Sequence, residues 1–598
     1  MPEDLGFTNR LYFGDNLNIM REYVLDESVD LIYLDPPFNS KASYNVLFAE
    51  KNGTQSPAQI TAFEDTWHWD MSAARAYEEL VTSGPGKLAD LIQALQGFLG
   101  TNDMMAYLTM MAVRLVEMHR VLKETGSLYL HCDPVASHYL KIILDSIFGV
   151  NNFRNEVIWR SAGSHNIKRS FGNIHQTILF YTKSNEYTFN IVRRPYALEH
   201  VKKRYKIGPS GKLEFSSGGN VLTGKGVTEG DSCKPWRGFD PKSKGRHWAV
   251  PSHYEDLMPT EYKFLKTTEK LEALYQADFV RIEEGKAWPV MVRYLDERAG
   301  IPISDIWAYQ PYTEGTLFGT SEGIDADVAW LGPTDPDRLG YETQKPDGLL
   351  RRIIRVSSKR GDLVLDPFCG CGTTIAAAEL LQRRWIGIDI THLSITLMVK
   401  RLEDTFGDNL SYYEIQGDPK DLQSAVALAN KSRHQFEWWA LSLVDARPAQ
   451  EKKMGADTGI DGFINFFDDK SGKAKKIIVQ VKSGHVSVHY IRDLKGVLER
   501  EKAPIGALVT LEKPTGPMRK EAATAGFYEP EHFPGKKYPR LQILTVEELL
   551  AEKVLEYPRV APAATFKKAK RQIKAKEGPM HPETMFDNGL LGDNPEEQ

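Results

Sequence analysis

The sequence DLVLDPFCGCGTT, residues 362–374, decides the fold that we expect for this chain. Its apolar run DLVLD predicts a buried strand, Gly370 and Gly372 predict a tight turn, and the following TTIAAAELLQRR predicts a helix. Asp389 ends the next strand-like run, WIGID, 389 − 366 = 23 residues after Asp366. In such strand–turn–helix units the helix start binds anionic or polar ligand groups, and an acid about 20 residues on accepts hydrogen bonds from a ribose. The stretch lacks Gly-Lys-Ser/Thr, which excludes a P-loop.

Strand-like and helix-like runs alternate over much of the chain. VDLIYL (29–34) and SLYLHC (127–132) read as strands, and MMAYLTMMAVRLVEMHRVLK (104–123) between them has the apolar spacing of a helix. This alternation predicts an α/β fold built on a parallel, doubly wound sheet. The length of 598 residues predicts two to four domains.

Composition excludes several classes of protein. Lys plus Arg is 75 and Asp plus Glu is 80, a net charge of −5, which excludes a uniformly basic nucleic-acid binder but not a local basic patch. Four cysteines in 598 residues do not form a disulfide framework and indicate a reducing compartment. MPEDLGFTNR has no signal-peptide pattern and no apolar run approaches about 18 residues, so we expect a cytoplasmic protein without a membrane span.

A second motif, VDLIYLDPPFN, occupies residues 29–39. Its apolar strand ends at Asp35, and the prolines at 36 and 37 lack N–H groups, which leaves carbonyl oxygens directed outward. Acceptors from Asp35 and from the Pro36 carbonyl can bind both hydrogens of an exocyclic amino group, while Phe38 can stack on the ring that carries it. The alternative interpretation is a Pro-Pro turn that only ends a strand.

Residues 193–248 differ from the rest in having little periodicity and a basic composition. They contain 13 Lys or Arg and 5 Asp or Glu, a local net of +8, interleaved with aromatic residues. This mixture is typical of a nucleic-acid surface, and the alternative is a solvated insertion that is merely basic.

The two motifs together resemble the signature motifs of the amino-group DNA methyltransferases, which make N6-methyladenine or N4-methylcytosine from S-adenosylmethionine. We call residues 35–38 the clamp and residues 366–374 the cofactor loop. The clamp comes first in the chain, then a long insertion, then the cofactor loop. This order resembles the beta group of that family, a circular permutation of the usual fold. The resemblance extends over about residues 8–420 and includes Gly14-Asp15-Asn16, GSLYLHCDP, HQTILFYTKS (175–184) and Thr343-Gln344-Lys345-Pro346.

The resemblance implies a division of the chain and a role for each motif residue. Residues 1–190 would be the catalytic part, 191–300 the target-recognition region and 301–425 the cofactor-binding part of a Rossmann-like methyltransferase. The residues implied to hold a flipped base are Asp35, Pro36, Pro37 and Phe38. Those implied to bind S-adenosylmethionine are Asp15 at the adenine, Asp389 at the ribose, and Lys345, Asp366, Phe368, Gly370, Gly372, Thr373 and Thr374.

The resemblance also suggests the substrate. Asp at the head of the clamp favours adenine N6 over cytosine N4 as the target, and double-stranded DNA is the expected partner, with a homodimer as a further expectation. A bacterial or phage origin is implied. RNA or a protein remains an alternative substrate, because such a clamp acts on any planar amino group.

The C-terminal part carries a second constellation. Glu437 lies in a predicted helix, Asp461 enters a strand, and Gln480 and Lys482 lie two apart on the next strand and so share a face. Oxygen ligands from Glu437, Asp461 and Gln480 would hold Mg²⁺, and Lys482 would orient a water molecule for phosphodiester hydrolysis.

Residues 433–557 resemble the PD-(D/E)xK nuclease fold, in the Mrr-like branch of restriction endonucleases, where Gln replaces the acid. The leading interpretation is therefore one chain that methylates and cleaves DNA, as in a fused restriction–modification enzyme. The alternatives are a solitary methyltransferase whose C-terminal domain only binds DNA, and a DNA-binding protein with both sites inactive. Residues 558–598 read as a flexible tail, basic and then acidic.

Overall fold

A computed structural model describes most of the chain and places it in two compact units. The described residues are 8–37, 43–49, 55–64, 69–163, 171–215, 222–295, 300–332, 335–339, 341, 343–449, 459–468, 474–530, 535–558, 568–572 and 574, with the backbone alone for 43–49 and 55–64. The first unit comprises Met1–Val192, Ser304–Tyr309 and Asp325–Gln598, and the second comprises Arg193–Ile303 and Gln310–Ile324.

The N-terminal part of the first unit alternates strands and helices. Its elements are β1 (Asn9–Phe13), α1 (Asn16–Tyr23), β2 (Val29–Leu34), β3 (Ser43–Ala49), β4 (Gln55–Glu64), α2 (Met71–Ser83), α3 (Gly86–Leu99), α4 (Asp103–Val121), β5 (Leu122–Cys132), α5 (Ser137–Phe148), β6 (Phe153–Arg160) and β7 (His175–Thr182). The strand expected at 29–34 is β2, and the helix expected at 104–123 is α4, capped by the Asn102 side chain.

The middle of the chain has short elements. They are β8 (Arg193–Arg194), α6 (Leu198–Arg204), β9 (Tyr205–Ile207), β10 (Leu213–Phe215), β11 (Thr223–Lys225), β12 (Arg246–Trp248), α7 (Thr267–Gln276), β13 (Val280–Arg281), β14 (Val290–Met291), β15 (Ile301–Pro302) and β16 (Ile306–Trp307).

The chain then returns to longer elements. They are α8 (Asp347–Ser357), β17 (Leu363–Asp366), α9 (Thr373–Leu380), β18 (Arg384–Asp389), α10 (His392–Phe406), β19 (Tyr413–Gln416) and α11 (Leu422–Lys431), followed by α12 (Arg433–Ser442), β20 (Arg447–Pro448), β21 (Gly462–Phe466), β22 (Lys475–Lys482), α13 (Val488–Glu501), β23 (Ile505–Thr510), α14 (Gly516–Ala523), β24 (Phe527–Tyr528), β25 (Tyr538–Pro539), β26 (Leu541–Thr545) and α15 (Val546–Leu550).

One nine-stranded sheet organises the first unit, in the order β16-β6-β7-β5-β2-β17-β18-β1-β19. Its strands are parallel except β7, which runs antiparallel to β5 and β6. The central strands β2, β17 and β18 are buried along most of their length because parallel strands are covered on both faces. The expected α/β sheet is therefore present, with a mixed rather than a wholly parallel pattern.

The second unit has its own small core. Trp236, Trp248, Tyr254 and Tyr262 are buried in one cluster with Leu271. Trp236 and Trp248 belong to the basic, aromatic-containing segment, and both rings are buried. They supply the apolar area that such a short unit needs in order to fold and are not exposed for contact with nucleic acid. The basic residues of α6, Lys202, Lys203 and Arg204, are exposed as expected.

The C-terminal part of the first unit forms a second sheet, in the order β20-β21-β22-β23-β26. Helix α12 packs on one face of this sheet, through Phe436 and Trp439, and α13 packs on the other face, through Ile491 and Leu494. Phe13 at the end of β1 packs against the first of these two cores. Within the described part of the chain, no helix is both long and apolar enough to cross a bilayer.

A short C-terminal strap, defined as residues 568–572 and 574, contradicts in part the expected flexible tail. Lys574 Nζ lies 2.5 Å from a carboxylate oxygen of Glu379 on α9, and Gln572 N–H donates to the Thr405 carbonyl at 2.9 Å. Glu379 is 1% exposed, so its charge requires a partner. Lys574, one of the basic residues that predicted a solvated tail, is that partner. Burial raises the pKa of Glu379, but hydrogen bonds from Lys574, Trp385 and Ser411 outweigh it and leave that pKa below its ordinary value.

Removing the Lys574 ammonium should destabilise the protein in a pH-dependent way. A lowered carboxyl pKa contributes stability that is present above the ordinary pKa of about 4.5 and is lost as the pH falls. We expect Lys574→Met to lower the free energy of unfolding by about 1–3 kcal/mol at pH 7.5, and by much less near pH 4. Thermal unfolding at both pH values, with the exposed neighbour Lys570→Met as control, measures this. Equal losses at the two pH values would contradict it.

Candidate active site

Four neighbouring parallel strands direct their carboxyl ends to one edge of the large sheet. β2 is followed by Asp35, β17 ends at Asp366, β18 ends at Asp389, and β1 is followed by Asp15 after one turn residue. All four acids line one cavity of about 320 Å³. Ligands of open α/β sheets bind at this edge, so the cavity is the candidate active site.

The loop between β17 and α9 adopts a backbone conformation that two of its glycines make possible. Gly370 has φ +49° and Gly372 has φ +76°, in the left-handed region. A Cβ on Gly372 would lie 2.1 Å from Met398, and one on Gly370 would lie 3.2 Å from the Tyr341 ring. Both positions therefore require glycine.

Asp389 fastens this loop. Its carboxylate accepts hydrogen bonds from Gly370 N–H at 2.9 Å and from the Thr391 N–H and hydroxyl at 2.9 and 3.0 Å. Burial raises the pKa of Asp389, and these hydrogen bonds oppose the rise. The sequence predicts a ribose ligand at this residue, and the structure adds that it shapes the loop.

Asp366 is the most buried of the four acids. It is 2% exposed and accepts a hydrogen bond from Phe368 N–H at 3.0 Å. Burial raises the pKa of Asp366 to about 7, against hydrogen bonds from Thr374 and Phe368 and together with the charges of Asp35 and Asp389. The cavity therefore carries less negative charge at neutral pH than four ionised acids would give it.

Asp15 belongs to a network that sequence reasoning missed. Its carboxylate caps α1 through the N–H groups of residues 17 and 18 and pairs with Arg114 at 2.8 Å. Arg114, 4% exposed, also donates to the Asn16 side chain at 2.6 Å, and Asn16 in turn donates to the Pro367 carbonyl at 2.8 Å. A lone arginine within the apolar run of α4 was the available signal, because a buried guanidinium needs an acid.

The clamp residues follow β2 and line the same cavity. Asp35, Pro36 and Pro37 line it, whereas Phe38 lies outside the described residues. A carboxylate oxygen of Asp35 accepts a hydrogen bond from Lys345. The sequence placed Lys345 among the cofactor ligands, and its contact in the structure is with the clamp acid.

The remaining predicted residues lie beside the glycine loop. Phe368 lines the cavity and packs against the main core, and Thr373 Oγ1 accepts a hydrogen bond from Arg401 at 2.8 Å. Thr374 also lines the cavity. Of the predicted methyltransferase residues that the structure describes, all except Gly372 line this one cavity. They meet there although 333 residues separate Asp30 at the start of β2 from Leu363 at the start of β17.

Comparison with known proteins decides the family. Residues 29–400 match the family of DNA methylases that modify N6 or N4 amino groups. The chain belongs to the DNA methylase family. It is similar to the type II methyltransferase M.EcaI of Enterobacter cloacae, with 28% identity over 435 residues, covering 72% of this chain and 76% of that relative.

Other similar proteins differ from this chain in length. The type III restriction–modification enzyme StyLTI Mod subunit of Salmonella typhimurium is 25% identical over 392 residues, which cover 64% of this chain and 51% of that subunit. The methylase thus spans about half the length of this relative. A putative DNA modification methylase from Thermus thermophilus, solved with S-adenosyl-L-methionine, aligns with a TM-score of 0.29 and 14% identity over 68% of this chain and 97% of that one.

The cavity of the DNA methylase fits S-adenosylmethionine. Gly370 brings the loop to the cavity without a side chain, and the cavity volume of about 320 Å³ suits a ligand of that size. Asp15, Asp366 and Asp389 provide acidic surroundings for a cofactor that carries a positive sulfonium.

The C-terminal constellation is only partly assembled. The Asp461 carboxylate accepts hydrogen bonds from Val481 N–H at 2.7 Å and Lys482 Nζ at 3.5 Å, and the Gln480 amide group donates to the Gly459 carbonyl. Gln480 and Lys482 point toward α13, whereas Glu437 lies on α12, which packs on the other face of the sheet.

The described residues do not fit the predicted Mg²⁺ site. The Lys482 ammonium already neutralises Asp461, and Gln480 is oriented by its own amide nitrogen toward Gly459. Among the described residues no three His, Cys, Asp or Glu side chains gather to hold a metal ion. The spacing along β22 correctly predicted that Gln480 and Lys482 share a face of the sheet. It could not predict that α12, which carries Glu437, would pack on the other face.

The family comparison agrees with this finding. Residues 432–551 match the family described as NACHT-associated inactive restriction endonuclease 1. A restriction-endonuclease relationship is therefore supported for this region, and the match is not to the Mrr-like branch that the sequence suggested.

Proposed function

We propose that this chain transfers a methyl group from S-adenosylmethionine to the exocyclic amino group of a DNA base, and that adenine N6 is the target. The observation that carries the proposal is the position of Asp35 on the same cavity as the glycine loop of residues 366–374. The order of β2 before β17 along the chain supports a circularly permuted methyltransferase of the beta group.

The cofactor would be held by the loop side of the cavity. The loop N–H groups, Asp389 and the Asp15 region would bind its polar groups, and Phe368 would cover its apolar part. When bound, S-adenosylmethionine supplies an electrophilic methyl group.

The clamp side would activate the base. Asp35 and the Pro36 carbonyl would accept hydrogen bonds from the two amino hydrogens, which directs the nitrogen lone pair toward the methyl group. The amino nitrogen would form a bond to the methyl carbon as the carbon–sulfur bond breaks and S-adenosylhomocysteine leaves. Asp35 is placed to accept the proton that the nitrogen then loses. A paired base cannot reach this position, so the target must leave the duplex stack.

Asp35→Asn should abolish methyl transfer and leave cofactor binding in place. Asn keeps the shape of the side chain, but it removes the negative charge and one acceptor, so we expect the rate to fall by about a hundredfold or more. Tritium transfer to DNA measures the rate, and calorimetry measures cofactor affinity. Mass spectrometry of digested DNA identifies the product, which we expect to be N6-methyladenine.

The control is Asp90→Asn, at an exposed position on α3, which should behave as the unaltered protein. Full turnover in Asp35→Asn would refute the role of the clamp. N4-methylcytosine as product would assign the enzyme to the alternative base, and 5-methylcytosine would refute amino-group transfer altogether.

The second unit is proposed to contact DNA. The support is the exposed basic end of α6, Lys202, Lys203 and Arg204, within a segment of net +8. Phosphate contacts of this kind release counterions and make affinity depend on salt.

Neutralising Lys202, Lys203 and Arg204 together to Gln should weaken DNA binding and its salt dependence. We expect the slope of log affinity against log salt to flatten by about 0.9 for each phosphate contact that is lost. Fluorescence anisotropy across a salt series measures it, with exposed Lys87→Gln on α3 as control. An unaltered slope would support the solvated-insertion alternative.

The C-terminal sheet is proposed to bind DNA without cleaving it. Asp461 pairs with Lys482, and the Gln480 amide group donates to the Gly459 carbonyl. Both contacts favour the alternative of a methyltransferase with a DNA-gripping domain over a fused nuclease.

Supercoiled DNA, methylated or not, should stay intact when it is incubated with the whole chain and Mg²⁺ or Mn²⁺. The expected absence of nicking follows from the neutralised carboxylate of Asp461. Gel electrophoresis measures nicking, and Asp461→Ala controls for a contaminating nuclease. Nicking by the unaltered chain that is lost in Asp461→Ala would restore the metal-dependent nuclease interpretation.

A further inference from the structure

The contact between Lys345 and Asp35 is an ion pair in a nearly enclosed position. The Lys345 side chain is 8% exposed and the Asp35 side chain 16% exposed, and the Lys345 ammonium hydrogen-bonds to the Asp35 carboxylate. Lys345 Nζ also donates to the Thr343 carbonyl at 3.3 Å. The next residue, Pro346, caps α8, so the helix fixes the backbone from which Lys345 extends.

This ion pair uses the same acceptor that a target base would need. An ammonium and an exocyclic amino group are both N–H donors, and a carboxylate oxygen accepts either. Lys345 engages Asp35 Oδ2, so a base amino group that approaches this oxygen competes with the ammonium for it.

We propose that Lys345 is a positioning residue that occupies the amino-group place on Asp35 between turnovers, keeps the carboxylate ionised and directed at the cavity, and yields that oxygen when the base enters. The inference rests on the proposed amino-group transfer and adds a residue to it that does not touch the methyl group.

The groups around Asp35 explain why a cation is needed there. The side chains that interact electrostatically with Asp35 include Tyr33, Cys132, Asp366 and Lys345, and His131 hydrogen-bonds to the Tyr33 hydroxyl at 2.8 Å. Asp366 adds negative charge whenever it is ionised, which disfavours a second ionised acid beside it.

The uncharged neighbours do not offset that effect. Burial raises the pKa of the Tyr33 hydroxyl and of the Cys132 thiol, so both stay protonated at neutral pH. Burial, followed by the charge of Lys345, lowers the pKa of His131 well below its ordinary value, so the imidazole is neutral. Of these five neighbours, Lys345 supplies the positive charge.

The variants Lys345→Met and Lys345→Arg separate this role from cofactor binding. Without the ammonium the Asp35 carboxylate is easier to protonate, so the acidic limb of the pH–rate profile should move to higher pH by about one to three units in Lys345→Met. We expect kcat at neutral pH to fall by about tenfold or more, while the calorimetric affinity for S-adenosylmethionine changes less than about twofold. Lys345→Arg keeps the charge and should restore the acidic limb.

The pairing can also be measured without turnover. In the cofactor-free protein, the changes in melting temperature for Lys345→Met and Asp35→Asn should not add in the double variant, because each single variant leaves one charge buried alone. The exposed Lys359→Met serves as control for both experiments.

Three results would overturn the inference: an acidic limb that does not move in Lys345→Met, a loss of cofactor affinity that parallels the loss of kcat, or additive melting shifts. The second result would return Lys345 to the cofactor ligands. A chain that makes no methylated DNA at any pH would instead refute the proposed function, while the melting cycle would still report on the ion pair.

Discussion

The parallel pairing of β2 with β17 is the constraint on which the rest of this molecule depends. Val364 lies opposite Leu31 and Leu365 opposite Ile32, and Leu363 N–H donates to the Asp30 side chain at 2.9 Å. Parallel strands place their carboxyl ends at the same edge, so this register puts the clamp acid and the glycine loop on one cavity. The intervening chain, including the whole second unit, is an excursion between two strands that are neighbours in the sheet.

Each of the four acids that line the cavity needs its own way of offsetting the free-energy cost of a buried negative charge. Asp15 pairs with Arg114, Asp35 with Lys345, and Asp389 accepts hydrogen bonds from its own loop. Asp366 has a pKa raised to about 7. Unpaired buried carboxylates are expensive, and a site that binds a cationic cofactor can keep several only if each has its own compensation.

In the C-terminal sheet, a complete apolar core surrounds two polar positions that pair with each other. Its apolar clusters on both faces are complete, while the polar positions at Asp461 and Lys482 satisfy each other. The strap from this region back to Glu379 links it to α9, the helix that follows the glycine loop. The C-terminal region thus contributes one buried charge partner to the methylase domain.

The sequence by itself determined the elements whose signals are local. The apolar runs of β2 and β17, the obligatory glycines at 370 and 372 and the spaced acid at 389 are read within about 30 residues of chain, and the family follows from them. Tertiary structure alone decided which charges meet. Lys345 contacts Asp35 rather than a cofactor-loop residue, Arg114 reaches Asp15, and α12 covers the face away from Gln480. These outcomes depend on long-range packing that sets burial, and burial decides which charged groups must find a partner.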